Sequence, residues 1–148
     1  MSIHIVAPSN GEAIDLGPSR IRILEDGSRT GHRIGIAEIW LAPGFGGPPQ
    51  HLHRKHDENF YVLSGTMEFT SGTERLRASV GTLVTVPIGV PHTFSNPDPD
   101  ETATCLFTST PDLYINYFRD LAAAIPGGLS HDAILQIMSK YATEGFRP

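Results

Sequence analysis

Short stretches in which apolar and polar residues alternate run through the first three quarters of the chain. A period of two marks a strand with one buried face. Ser2 to Ala7 alternates in this way and predicts an opening strand, ended by Pro8-Ser-Asn-Gly11. Arg20-Ile-Arg-Ile-Leu-Glu25 is a clear case, followed by the turn Asp26-Gly27. Arg33 to Leu41, rich in Ile with one Trp, predicts a longer strand. It stops at the stiff segment Ala42-Pro-Gly-Phe-Gly-Gly-Pro-Pro49. Further strands are predicted over 59–63, 66–70, 73–78, 82–86, 92–95 and 102–109. Many short strands at even spacing, separated by Gly and Pro turns, point to an all-β sandwich or barrel.

The last quarter changes period. Thr110-Pro-Asp reads as a helix start, with Thr110 as the cap and Pro111 and Asp112 in the first turn. Tyr114, Tyr117, Phe118, Leu121 and Ile125 then fall on one helical face, and Pro126-Gly-Gly breaks it. Ser130 with Asp132 opens a second helix striped with Ile134, Ile137, Met138 and Tyr141. Such a pair is expected to pack over the barrel's exterior; the alternative is that it shapes or gates an opening of the barrel.

Composition narrows the class. The 148 residues fit one domain over 1–148, with a barrel over about 20–109 and helices over about 111–143. No apolar run approaches the ~20 residues needed to span a bilayer, so no membrane partner is expected. Met1-Ser-Ile-His-Ile-Val lacks the basic start and apolar core of a signal peptide, and the single Cys105 allows no internal disulfide. Both point to the cytoplasm. A net charge of -5, with Arg54-Lys55 as the only adjacent basic pair, argues against a nucleic-acid partner.

Histidine changes the picture further: of seven, four lie at positions 51, 53, 56 and 92. In an extended chain the two imidazoles of His51-Leu-His53 face one side, about 6–7 Å apart at the backbone. They can converge on one ion, although a His-x-His pair alone fits two surface histidines equally well. Glu58 shares strand parity with Phe60 and Val62 and is therefore expected to face inward. A carboxylate there is costly unless paired or coordinated, and a metal removes that cost. His56, between Lys55 and Asp57, is expected to be solvated or to sit behind the ligands. His92 follows a strand punctuated by Gly81, Pro87 and Gly89, a turn that can hold one imidazole in a defined direction.

Together the two segments resemble the paired motifs of the cupin superfamily. The first motif, Gly, five residues, His-x-His, three or four residues, Glu, six residues, Gly, is met by His51-Leu-His53, Glu58 and Gly65. Its leading glycine is displaced: Phe45 holds the expected place and Gly46 follows one residue later. The second motif, Gly, five, Pro-x-Gly, two, His, three, Asn, is matched by Gly81, Pro87, Gly89, His92 and Asn96. The motifs span residues 46 to 96, and the whole resembles small single-domain bacterial cupins, in particular the quercetin-dioxygenase-like type.

The resemblance implies a jelly-roll barrel (a double-stranded β-helix) with a C-terminal helical pair. It places His51, His53, Glu58 and His92 on the family's four ligands for one divalent ion, and Fe, Mn, Co, Ni, Cu or Zn all suit that set. It implies a homodimer, with residues 2–7 or 20–25 pairing across the interface. The expected activity is that of a small dioxygenase-like oxidoreductase acting on an enolic or phenolic small molecule. Glu58 then serves as ligand and proton acceptor, and Phe60, Met67 and Phe94 line an apolar pocket. The alternatives are a metal-dependent isomerase or lyase, and a non-catalytic module that binds a small ligand.

Overall fold

The computed structural model describes residues 2–148. Eleven strands and two α-helices follow in order: β1 (Glu12–Asp15), β2 (Ser19–Glu25), β3 (Gly35–Leu41), β4 (His51–His53), β5 (Asp57–Ser64), β6 (Met67–Ser71), β7 (Glu74–Ala78), β8 (Leu83–Val86), β9 (Thr93–Ser95), β10 (Ala103–Thr110), α1 (Ile115–Ala124), α2 (His131–Ser139) and β11 (Thr143–Gly145). One layer is an antiparallel sheet in the order β1-β2-β3-β10-β5-β8. The other consists of β11-β4 and β7-β6-β9. His51 and His92 exchange backbone hydrogen bonds of 3.0 and 2.8 Å, which tie β4 to the chain entering β9. The layers face each other as a double-stranded β-helix, and their ladders do not close into one continuous ring among the described residues.

Alternation does its expected work. Gly35, Ala37, Ile39 and Leu41 of β3, Phe60 and Val62 of β5, and Ala103, Cys105 and Phe107 of β10 turn into the core. Phe60 is ringed by Phe69, Phe94 and Phe107 at centroid distances of 5.2 to 5.4 Å. Glu58 lies inside β5 rather than just before it, and its inward parity makes it the one acidic side chain of that buried face.

Three expectations change. Residues 2–7 form no strand, and Ile3 and Ile5 are 93% and 78% exposed. The edge of β2 is taken by β1, so that segment has no ladder to join there, and β2, paired on both sides, offers no free edge to a second chain. Thr110 ends β10 instead of capping a helix; a single 3-10 turn, Asp112–Tyr114, leads into α1. Ile125 is 40% exposed, and the buried face of α1 is completed by Ile115. Ser130 does cap α2, its Oγ accepting from Ala133 N–H at 3.1 Å.

Most consequential is β11, which the sequence did not predict. After α2 the chain returns to pair with β4, placing Thr143 opposite His53 and Gly145 opposite His51. The C-terminal segment is therefore laced into the barrel at the histidine strand. No helix among the described residues is long and apolar enough to cross a membrane.

Candidate metal centre

Backbone constraints aim the histidines before any ion is considered. β4 presents His51 and His53 on one face, as an i, i+2 pair must. The turn before β9 is held against β4 because Gly89 N–H donates to the His53 carbonyl at 2.8 Å. Gly89 needs its positive φ of 81°, which only glycine adopts without strain. Asn96 is buried and donates through Nδ2 to the carbonyls of Ala42 and Glu101 at 3.1 and 2.8 Å, locking the far end of the same segment. His92 is thereby brought beside His51 from the neighbouring loop.

His51, His53, Glu58 and His92 are all buried, none more than 2% exposed, and they fall in two overlapping trios that share His53. One nitrogen each from His51, His53 and His92 lie within 4.8 Å of one another, as do single ligand atoms of His53, His56 and Glu58. His56 is therefore not solvated: it is fully buried, and its Nε2–H donates to Glu58 Oε1 at 3.2 Å. Its neighbours Lys55 and Asp57 are polar, but strand and turn geometry fold the imidazole inward beneath them.

Hydrogen bonds on the outer side of each ring set the tautomers. His51 Nδ1–H donates to the Pro49 carbonyl at 2.8 Å, and His92 Nδ1–H to the Val90 carbonyl at 3.2 Å. His53 Nδ1–H donates to Thr143 Oγ1 at 2.8 Å, while that hydroxyl itself donates to the Tyr141 carbonyl at 3.1 Å. With the outer nitrogens protonated, the neutral rings turn three Nε2 lone pairs inward. Burial, aided by His92 and His53, pulls the His51 pKa down to about 3, so this ring stays neutral. Burial likewise lowers His53, against the pull of Glu58. For Glu58 burial acts upward, but charge on His53 and hydrogen bonds from His53, His56 and His92, where a proton sits on the facing nitrogen, outweigh it and hold the carboxyl well below its ordinary range.

When the outer nitrogens alone are protonated, the Glu58 carboxylate is set against the imidazole lone pairs of His53 and His92. Glu58 Oε1 stands 3.1 Å from His53 Nε2, and Oε2 stands 3.2 Å from His92 Nε2. The His53 Nε2 atom is buried with no hydrogen-bond partner. Lone pair facing lone pair is repulsive, and a cation between them reverses the sign. Ligands about 2.1 Å from one ion at right angles stand about 3 Å apart, which matches these separations. Three neutral imidazoles and one carboxylate therefore fit a divalent transition metal ion, and the donor set alone does not choose among such ions.

Beside the cluster lies a cavity of about 390 Å³, with His51 and Glu58 on its wall. Phe94 lines it, whereas Phe60 and Met67 are fully buried in the core and do not bound it. Much of the remaining wall comes from the C-terminal segment: Tyr114, Tyr117, Phe118, Leu121, Ile134 and Met138. The helical pair shapes the chamber rather than merely covering the barrel's exterior. Tyr114 stacks on Tyr117 at 4.3 Å and meets His53 edge-on at 4.5 Å. Burial pushes its phenol well above the ordinary tyrosine pKa, so it remains protonated. Sequence reading placed Tyr114 and Tyr117 on a helical stripe but gave no sign that they reach the site, because that contact depends on how the segment after β10 folds back.

Comparison with known proteins bears on both the fold and the site. Residues 38–109 match the family model of the cupin domain, taking in every position of the two motifs from His51 onward. Quercetin 2,3-dioxygenase of Bacillus subtilis (strain 168) is 29% identical over 93 residues, which cover 62% of this chain and 27% of that protein. The chain thus spans only about a quarter of that relative's length. Among solved structures, the polyketide cyclase RemF of Streptomyces resistomycificus superposes with a TM-score of 0.63 at 22% identity, covering 74% of this chain and 80% of that one. An RmlC-like cupin from Shewanella frigidimarina gives 0.60 at 21% identity over 74% and 92% of the two chains. Residues 38–109 of this chain are thus a cupin domain, with the double-stranded β-helix and both motifs in place.

Proposed function

We propose that this cupin is a metal-dependent oxygenase of the dioxygenase type, acting on a small enolic or phenolic molecule. His51, His53, Glu58 and His92 are its ligands for one divalent transition metal ion. The observation that carries the reading is the position of His51 and Glu58 on the wall of an apolar cavity, so that the ligand cluster opens onto space for a substrate. A closed structural site would be sealed by protein on every side.

An ion held by these four side chains would supply Lewis acidity toward a substrate oxygen and reactivity toward dioxygen. The chain's own residues do the rest. Outer hydrogen bonds donated by the imidazole Nδ1–H groups to the Pro49 and Val90 carbonyls and to Thr143 Oγ1 hold the three imidazoles in the ligating tautomer. Glu58, held ionised, accepts the substrate proton at a carboxylate oxygen, and His56 Nε2–H steadies that carboxylate. Phe94, Phe107, Tyr117 and Phe118 exclude water and take the flat apolar body of the substrate.

Oxygen uptake by the metal-replete protein against a panel of flavonols, catechols and diketones tests this reading. Consumption with one class, absent in His51→Ala, supports it. No uptake with any member contradicts it. A redox-neutral isomerase or lyase reading is favoured by the fold likeness to a polyketide cyclase, and turnover under strict anaerobiosis would select it. Cytoplasmic location and a homodimer remain part of the proposal, checked by fractionation and by solution scattering.

A further inference from the structure

The Tyr114 hydroxyl is the feature of the cavity that the ligand set leaves unexplained. Tyr114 is 3% exposed and lines the chamber, and its oxygen has no hydrogen-bond partner within 3.5 Å, the Tyr117 and Thr143 hydroxyls being its polar neighbours. A buried hydroxyl without a partner costs on the order of 1–3 kcal/mol, and native structures retain few of them. The ring itself is fixed, stacked on Tyr117 and packed against His53 and His56 at 4.5 and 4.8 Å. It comes from outside residues 38–109, so it belongs to what this chain adds to the cupin domain.

A second observation concerns charge. Among the described residues, no Lys or Arg bounds the cavity, and its one acidic side chain is Glu58. His131, the most peripheral basic group, stands exposed at the rim at the start of α2. Burying a phosphate dianion requires cationic, preferably bidentate partners, and this wall offers none.

We propose that Tyr114 is the hydrogen-bond donor that selects the ligand. The class it selects is a flat, apolar molecule of roughly two to three fused or linked rings carrying adjacent oxygens at one edge and no phosphate. The inference rests on the proposed metal site in one respect: the ligand's oxygen edge faces His51 and Glu58. Tyr114 donates to one of those oxygens, and the aromatic wall takes the rest.

Three probes share one apolar body: naphthalene, 2,3-dihydroxynaphthalene and 2-naphthyl phosphate. Their affinities for the metal-replete protein are read by fluorescence titration. The wild type is expected to bind the diol at least tenfold more tightly than the phosphate, a comparison that needs no variant. In Tyr114→Phe the diol is expected to weaken about tenfold, as loss of one hydrogen bond to a charged or polarised oxygen implies. Naphthalene is expected to change less than twofold. Equal losses for the diol and naphthalene would reduce Tyr114 to packing and overturn the proposal. An unchanged diol affinity, a phosphate bound as tightly as the diol, or no binding of any probe would also overturn it. Failure of the oxygenase reading looks different: the diol binds and responds to Tyr114→Phe, yet no oxygen is consumed.

Discussion

The cavity has a barrel wall and a helical wall; both are largely apolar, but only the barrel wall carries candidate metal ligands. The barrel contributes His51 and Glu58, polar groups set by strand parity and aimed by fixed outer hydrogen bonds. The helical segment contributes Phe118, Leu121, Ile134 and Met138, apolar groups set by a 3.6-residue stripe, with Tyr114, Tyr117 and His131 as its polar members. The barrel wall carries the proposed ligands, and the helical wall closes the chamber around them. Thr143 crosses the division, since β11 belongs to the C-terminal segment yet supplies the acceptor for His53 Nδ1–H.

If that division is real, mutations should sort by wall. His92→Ala removes a proposed ligand and is expected to abolish stoichiometric metal binding, exceeding the roughly 10–100-fold losses typical of outer hydrogen-bond partners. A chelator-competition assay reads it. Phe118→Ala acts on the other wall: it opens a cavity beside Phe107 and Tyr114 and should cost about 3 kcal/mol in urea unfolding. Metal stoichiometry should stay intact, and its loss would show that the walls are not separable. Thr143→Val keeps the shape of the side chain but takes away the acceptor, freeing the His53 tautomer. Metal affinity should fall about 10–100-fold with little change in fold.

The smallest effect lies at the outer seam, where Arg119 of α1 bridges Glu12 of β1 and Asp26 at 2.7 and 2.9 Å. These groups are partly exposed, so Arg119→Ala should cost under about 1 kcal/mol at pH 7. Its pH dependence has a definite sign. A hydrogen bond from Ser28, then Arg119, hold the Asp26 carboxyl below its ordinary value of 3.8. The contribution is present above that value and is lost as pH falls through the lowered pKa, so wild type and variant should converge in acid. Paired urea titrations at pH 7 and in acid check this.

The two walls also differed in how far they could be read from sequence. His51-Leu-His53 and Glu58 were legible because a period of two assigns a side to every residue of a strand, and Gly89 and Asn96 mark the turn that delivers His92. Both helices were legible from their stripes and from Ser130. What escaped were relations between distant segments. His56 looks solvated beside Lys55 and Asp57, and only the folded turn buries it. Tyr114 reads as core until the chain after β10 is seen to fold over the opening. Thr143-Glu-Gly145 is too short to carry a strand pattern and becomes a strand because β4 has an edge to fill. Residues 2–7 err in the other direction: they alternate, but β1 already occupies the edge of β2.

The central claim is that four side chains from two separate segments form one mononuclear metal site. Elemental analysis of the freshly purified, folded protein tests it most directly. The account predicts about one equivalent of a transition metal per chain, and none in His92→Ala. Folded wild-type protein that carries no metal and takes up none from added Fe, Mn, Co, Ni, Cu or Zn would contradict it, as would two equivalents per chain.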